Sequence, residues 1–287
     1  MDWKKAKTIL IIAFIFLDAF LGYNFWLNIN PEADTTVVTD SQIQESCRIL
    51  QEAGILIDTK LPAKVLPQPF LMVSYQKVEP SKTASSFFGE LGNVKVEKTE
   101  DSVIYRRDQE QLMVMHNGII SYFNNKSETA EKQPLVTKQD AKKIADSFIK
   151  AHGGFPPNAR HDRTIYYNES DSYLVEYVQE YKGKFLASSY IDVLVTPTGV
   201  KSYYSSWLKP IGYSGKSKQI ISPVQALLKM IEVLEGVNKP ITITGLELGY
   251  YSRYYNAEKW QAVPAWRIVV DKDEYYYING YTGELEQ

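Results

Sequence analysis

The chain is 287 residues long, 44% hydrophobic and 23% charged, with a formal net charge of −2. That composition supplies enough apolar material for a buried core and excludes a nucleic-acid binder working through excess basic charge. The single cysteine, Cys47, excludes an intramolecular disulfide, so any extracytoplasmic part of the chain is held by packing alone.

Lys4, Lys5 and Lys7 precede an apolar run from Thr8 to Leu27, interrupted by one acid, Asp18. At 1.5 Å per helical residue, its roughly 20 residues span the about 30 Å hydrocarbon core of a bilayer. Lysines before the run and none directly after it predict a cytoplasmic N-terminus and an outward-facing remainder, with Tyr23, Phe25 and Trp26 at the outer interface. A cleaved signal peptide has an apolar core of about 7–15 residues and a small-residue cleavage site, neither of which fits. Residues 1–30 are therefore expected to be a cytoplasmic N-terminus plus a single transmembrane anchor in contact with lipid. An acid at the centre of a span costs about 2.5–3.5 kcal/mol on insertion scales and usually faces a partner. Phe14 lies one turn before Asp18 and Gly22 one turn after it, so Phe14, Asp18 and Gly22 form the candidate partner-binding face for another helix.

Residues 31–38 read as a polar tether, followed by a helix from Thr39 to about Ala53 that Gly54 ends. Leu61 to Pro69 carries three prolines and is expected to be extended or irregular. A strand over Leu71–Lys77 and a short helix around Thr83–Leu91 come next. Strands near Val94–Lys98, Ser102–Arg107, Gln111–His116 and Ile119–Asn124 complete a first α+β region, 39–130. His116-Asn117-Gly118 is the hairpin signal there, because Asn-Gly accepts the positive φ of a two-residue turn. The polar stretch Asn124–Gln133 reads as a boundary.

The second region, 131–287, repeats itself. Thr137-Lys-Gln-Asp140 and Ser222-Pro-Val-Gln225 both place a hydroxyl at a helix N-cap, with Pro223 suited to the first helical position. These starts, and the later Thr198-Gly199 and Thr282-Gly283 turns, are each separated by about 85 residues, which predicts a duplicated unit over 137–207 and 222–287. Strands are expected near Asp162–Tyr167, Tyr173–Tyr181, Ser188–Val195 and Val200–Trp207 in the first copy. In the second they are expected near Thr242–Tyr255, Ala262–Val270 and Tyr275–Asn279. Tyrosines crowd these strands, either as cross-strand packing or as a stacking platform; adjacent tyrosines point to opposite faces, so no continuous platform follows. The predicted class is α+β: one N-terminal transmembrane helix, then an extracytoplasmic region of helix plus antiparallel-sheet units.

No catalytic, cofactor-binding or metal-binding residue is predicted. His116, His152 and His161 have neither zincin spacing nor a cysteine neighbour, and His152 is accounted for by the end of a helix. Cys47 is expected as a small core residue. Asp171, Glu176, Asp192 and Glu247 are read as solvated strand or turn residues, although two carboxylates brought together by folding would leave no local signature.

The opening Met1-Asp2-Trp3-Lys4-Lys5-Ala6-Lys7-Thr8, leading into a span that contains Asp18, is similar to the start of the YycI family. The ending, Val263-Pro-Ala-Trp-Arg-Ile268 followed by Tyr275-Tyr-Tyr-Ile-Asn-Gly-Tyr-Thr-Gly-Glu284, resembles that family's C-terminus. The helix-and-hairpin units more loosely resemble PepSY-type modules. The YycI resemblance implies a single-pass cell-membrane protein of Gram-positive bacteria, not an enzyme, that regulates the WalK/WalR cell-wall two-component system. Its implied partners are the sensor histidine kinase WalK and a YycH-like protein. The competing expectation is a free-standing PepSY-like binding or inhibitory module for an extracellular protease or wall polymer.

Overall fold

The computed structural model describes residues 7, 14–23, 35–125, 137–253, 257–271 and 274–286. Residues 14–23 are helical, with every side chain exposed. Among the described residues no helix is long and apolar enough to cross a membrane. The expected span Thr8–Leu27 extends beyond this segment at both ends into residues outside the description, where half of the tether (31–34) and most of the polar stretch after Asn124 also lie.

The globular part begins with β1 (Thr36–Val37), and Thr39 then caps α1 (Asp40–Glu52) through a capping box with Gln42. Next come β2 (Ile55–Ile57), β3 (Lys64–Val65) and β4 (Gln68–Tyr75). The next helix, α2 (Pro80–Phe88), starts three residues before the expected position because Pro80 occupies its first turn, where a missing N–H costs nothing. An up-and-down meander follows: β5 (Lys95–Lys98), β6 (Ser102–Arg107), β7 (Glu110–Met115) and β8 (Ile120–Asn124).

Thr137 caps α3 (Lys138–Ala151), which leads into the meander β9 (Ala159–Tyr167), β10 (Ser172–Tyr181), β11 (Lys184–Thr196) and β12 (Gly199–Ser206). After β13 (Leu208–Lys218), Ser222 and Gln225 form the capping box of α4 (Pro223–Val233). A last meander follows, β14 (Ile241–Tyr251), β15 (Trp260–Val270), β16 (Glu274–Asn279) and β17 (Leu285–Glu286). Helix followed by four sequential antiparallel strands thus occurs three times among the described residues.

Apart from the ribbon β1–β3, the strands form one branched hydrogen-bonded sheet that is mostly antiparallel. The early strands join both later units: β8 pairs with β12, while β2 pairs with β14 and β4 with β13 and β15. The first core packs α2 and α3 on β6–β8 and β10–β12, with Phe88, Tyr105, Ala141, Ala145, Ile149, Tyr177 and Tyr203 buried. The second packs α1 and α4 on β14–β16 through Leu50, Leu227, Met230, Ile243, Trp266 and Ile268. A third, smaller cluster, including Leu71, Leu186, Tyr250 and Trp260, closes the joint where β4 and β13 meet these sheets. Cys47 is half-buried, beside Ile43 and Leu61 in an open groove rather than in a core.

Candidate functional site

Strand alternation places every second side chain of β9–β12 on the face away from the helices. Because Ile191 and Val193 enter the first core, Asp192 between them points the other way. In register, Arg163 on β9 opposes Glu176 on β10, Glu176 opposes Asp192 on β11, and Asp192 opposes Tyr204 on β12. The later unit does the same: Glu247 on β14, Arg267 on β15 and Tyr277 on β16 are successive partners, while Trp266 and Ile268 enter the second core. These two polar rows meet along a seam between the units.

A slip in the β9–β10 register carries the chain from Arg163 to His161 and leaves Asp162 unopposed, so Asp162 turns toward the seam beside Arg163. Its carboxylate accepts from Arg267 Nη1 at 2.7 Å and Nη2 at 3.0 Å, and Glu247 accepts from Nη2 at 2.6 Å. The Arg267 guanidinium is clamped between rings, 4.4 Å from the centroid of Phe185 and 4.6 Å from that of Tyr275. Only 5% of this side chain is exposed. Burial, the largest single influence, works against its charge, but Asp162, Tyr277 and Glu247 together outweigh it and hold the proton above the ordinary arginine range. Arg163 pairs with Glu176 and lies 3.8 Å over Tyr275, and Arg160 donates to Glu247 at 3.1 Å. Close approach of the units needs Gly249, since a Cβ there would sit 2.4 Å from the Phe185 ring.

The seam encloses a cleft of about 250 Å³ lined by Glu176, Tyr190, Asp192, Tyr275 and Tyr277 among others. Burial pushes the Tyr277 hydroxyl up to about 12. Three arginines face carboxylate partners here, and each pair offsets the desolvation that would make an isolated charge costly. Chemically this is a charge-paired joint with one residue, Asp192, that no arginine engages by a direct bond.

A second, more open groove of about 460 Å³ runs between α2 and the Gly153-Gly154-Phe155-Pro156-Pro157 loop, with Trp207 and Tyr203 at its floor. His152 rests there at the end of α3, its ring centroid 4.0 Å from that of Phe148 at a tilt of 30° and its Nδ1 2.7 Å from the Phe148 carbonyl oxygen. Gly118 lets the β7–β8 turn pass Gln76, whose carbonyl oxygen lies 1.9 Å from where a Cβ would be.

Phe14, Asp18 and Gly22 share the exposed helical segment 14–23: Phe14 is 56% exposed, and nothing lies within 4 Å of a Cβ placed on Gly22. The structure does not bring them to the seam or the groove. Of the four acids read as solvated, Asp171 lies in a turn and accepts from Tyr166. Glu176, Asp192 and Glu247 are instead seam residues, and that expectation is corrected for them. The missed signal was one charge inside an apolar strand, as in Ile191-Asp192-Val193 and Trp266-Arg267-Ile268. Among the described residues no group of three or more His, Cys, Asp or Glu side chains is placed to hold a metal ion.

Residues 33–281 match the family described as YycI protein. No curated protein matches the chain. Among solved structures, an uncharacterized protein from Eubacterium rectale superposes with a TM-score of 0.50 at 11% identity, covering 90% of this chain and 94% of that one. The Bacillus megaterium YpeB C-terminal domain gives a TM-score of 0.45 at 15% identity, over 74% of this chain and 97% of its own length. At these identities the first likeness concerns the fold alone.

Proposed function

The chain belongs to the YycI family, and from that premise we propose that it is a non-catalytic, membrane-anchored regulator acting on the WalK/WalR cell-wall two-component system. In this reading residues 1–30 supply a single anchor with the N-terminus in the cytoplasm. The ectodomain faces outward and binds a YycH-like partner, while the Phe14–Asp18–Gly22 face packs against partner helices such as that of the sensor kinase. The observation that carries the proposal is the family match, which spans nearly the whole ectodomain. The exposed face of segment 14–23, with no neighbour on Gly22, supports the helix-contact part. The capped helices α3 and α4, each followed by a four-strand meander, support reading the ectodomain as built from a duplicated module.

The test is recovery of the kinase and the YycH-like protein with the full-length chain from mild-detergent membranes. Asp18→Leu and Gly22→Leu weaken recovery by about three- to thirtyfold, the equivalent of roughly 0.6–2 kcal/mol for an interhelical contact, whereas Asp18→Asn keeps most of it. Undiminished recovery in both leucine variants moves the contact to the ectodomain. If neither partner is recovered with the wild-type chain, the alternative gains: a PepSY-like binding module whose ligand occupies the groove beside Trp207 and the Gly153–Pro157 loop.

A further inference from the structure

Asp192 is the seam residue whose charge is left over. Glu176, its neighbour on β10, is held by Arg163 from β9, and Asp162 on β9 is held by Arg267 from β15. Asp192 Oδ1 is buried and has no hydrogen-bond partner. Around it are Tyr190 on its own strand, Tyr204 opposite on β12, and Tyr275 and Tyr277 facing it from β16. A carboxyl group with one oxygen buried and without a donor is tolerated better neutral than ionised. Directly opposed residues on antiparallel strands bring their Cβ atoms to about 4.5–5.5 Å, so Glu176 adds like-charge repulsion. Burial first, and then the Glu176 charge, push the Asp192 carboxyl up to about 7, against a smaller opposing pull from Arg163.

The consequence reaches the other unit through Arg163. Its guanidinium serves Glu176 and at the same time stacks on Tyr275 of β16, so it is a bridge between the two units. We propose that Asp192 is a proton-operated switch in this seam: protonated, it leaves Arg163 on Glu176 and Tyr275; ionised, it competes for Arg163 and loosens β16 from β9–β11. The carboxyl O–H bond breaks with its electron pair left on Asp192, the proton passes to water in the cleft, no bond between heavy atoms changes, and the event needs no partner. The proposal is therefore independent of the regulatory reading.

The experiment uses the full-length protein in detergent micelles, titrated from about pH 5 to about pH 9. Difference infrared spectroscopy follows the carbonyl band of a protonated carboxylic acid, and amide exchange corrected for its intrinsic pH dependence follows residues 274–279. In the wild type the band disappears near pH 7, and protection of β16 falls over the same range. Asp192→Asn removes the band and leaves β16 protection flat. Glu176→Gln, which removes the like charge and frees Arg163, moves both midpoints to lower pH, and it answers the question even if Asp192→Asn fails to fold. A wild-type protein with no such band, or a pH-dependent loss of β16 protection that persists in Asp192→Asn, overturns the switch.

Discussion

The two later units share one topology and fill it with different side chains. In the first, α3 buries the small residues Ala141 and Ala145 with Ile149, and rings complete the layer, two of them brought by α2 and β8 of the preceding region: Phe87, Tyr122, Phe148, His152 and Tyr203 lie within about 6.5 Å of one another in successive pairs. Two of the core tyrosines are tied by their hydroxyls to carboxylates, Tyr122 to Glu110 at 2.9 Å and Tyr177 to Asp146 at 2.5 Å. In the second, α4 buries Val224, Leu227 and Met230, and the large ring is Trp266, which donates to the Ile221 carbonyl at 3.0 Å. The pattern of apolar positions and helix caps thus sets the topology, while volume is shared between helix and sheet in either proportion.

What the units have in common is the seam, so the largest effect is expected there. Arg267→Ala leaves Asp162 and Glu247 without their shared cation and destabilises the protein by about 3–5 kcal/mol in urea unfolding. A loss below about 1 kcal/mol would mean that the units hold together without it. Next come volume changes of opposite sign in the two cores. Leu227→Ala opens a cavity under α4 at a cost of about 2–5 kcal/mol, and Ala145→Leu overpacks α3 against its rings at a cost of about 1–3 kcal/mol. If α3 accepts the leucine at no cost, the close approach that distinguishes the first unit is wrong. The smallest effect is a gain. Because the folded-state Asp192 carboxyl is raised to about 7, its contribution to stability is complete below the ordinary carboxylate range and is lost as pH rises through 7. Asp192→Asn should therefore match the wild type at about pH 4 and exceed it at about pH 8 by roughly 1–3 kcal/mol, read from urea melts at both values.

Much of this architecture was legible in the residues. Thr39, Thr137 and Ser222 mark helix starts because a hydroxyl at that position satisfies a backbone N–H that the helix cannot, and all three caps form. The Asn117-Gly118 turn and most strands of the three meanders lie within a few residues of their expected places. The strand β13 was not legible: Pro210, Gly212 and Gly215 interrupt it, most of it is solvent-facing, and its strand character comes from pairing with β4, far away in sequence. The three-residue β2 is defined in the same way by β14. The seam was missed for a related reason. A charged residue in a strand reads as solvated until a second sheet covers it, and that cover comes from a unit about 85 residues further along.

The short β1–β3 ribbon has a mechanical consequence. Thr36 pairs with Val65 and Val37 with Lys64, Val38 N–H donates to Ala63, and the Thr36 hydroxyl donates to the Ile220 carbonyl, two residues before the cap of α4. Tension on the chain ahead of residue 35 therefore falls first on a few hydrogen bonds, each worth a net of about 0.5–1.5 kcal/mol, and only afterwards on the large sheet. Thr39, the cap of α1, follows within two residues of β1, so a force that opens the ribbon arrives at the starts of both helices of the second core while the first core is still unloaded.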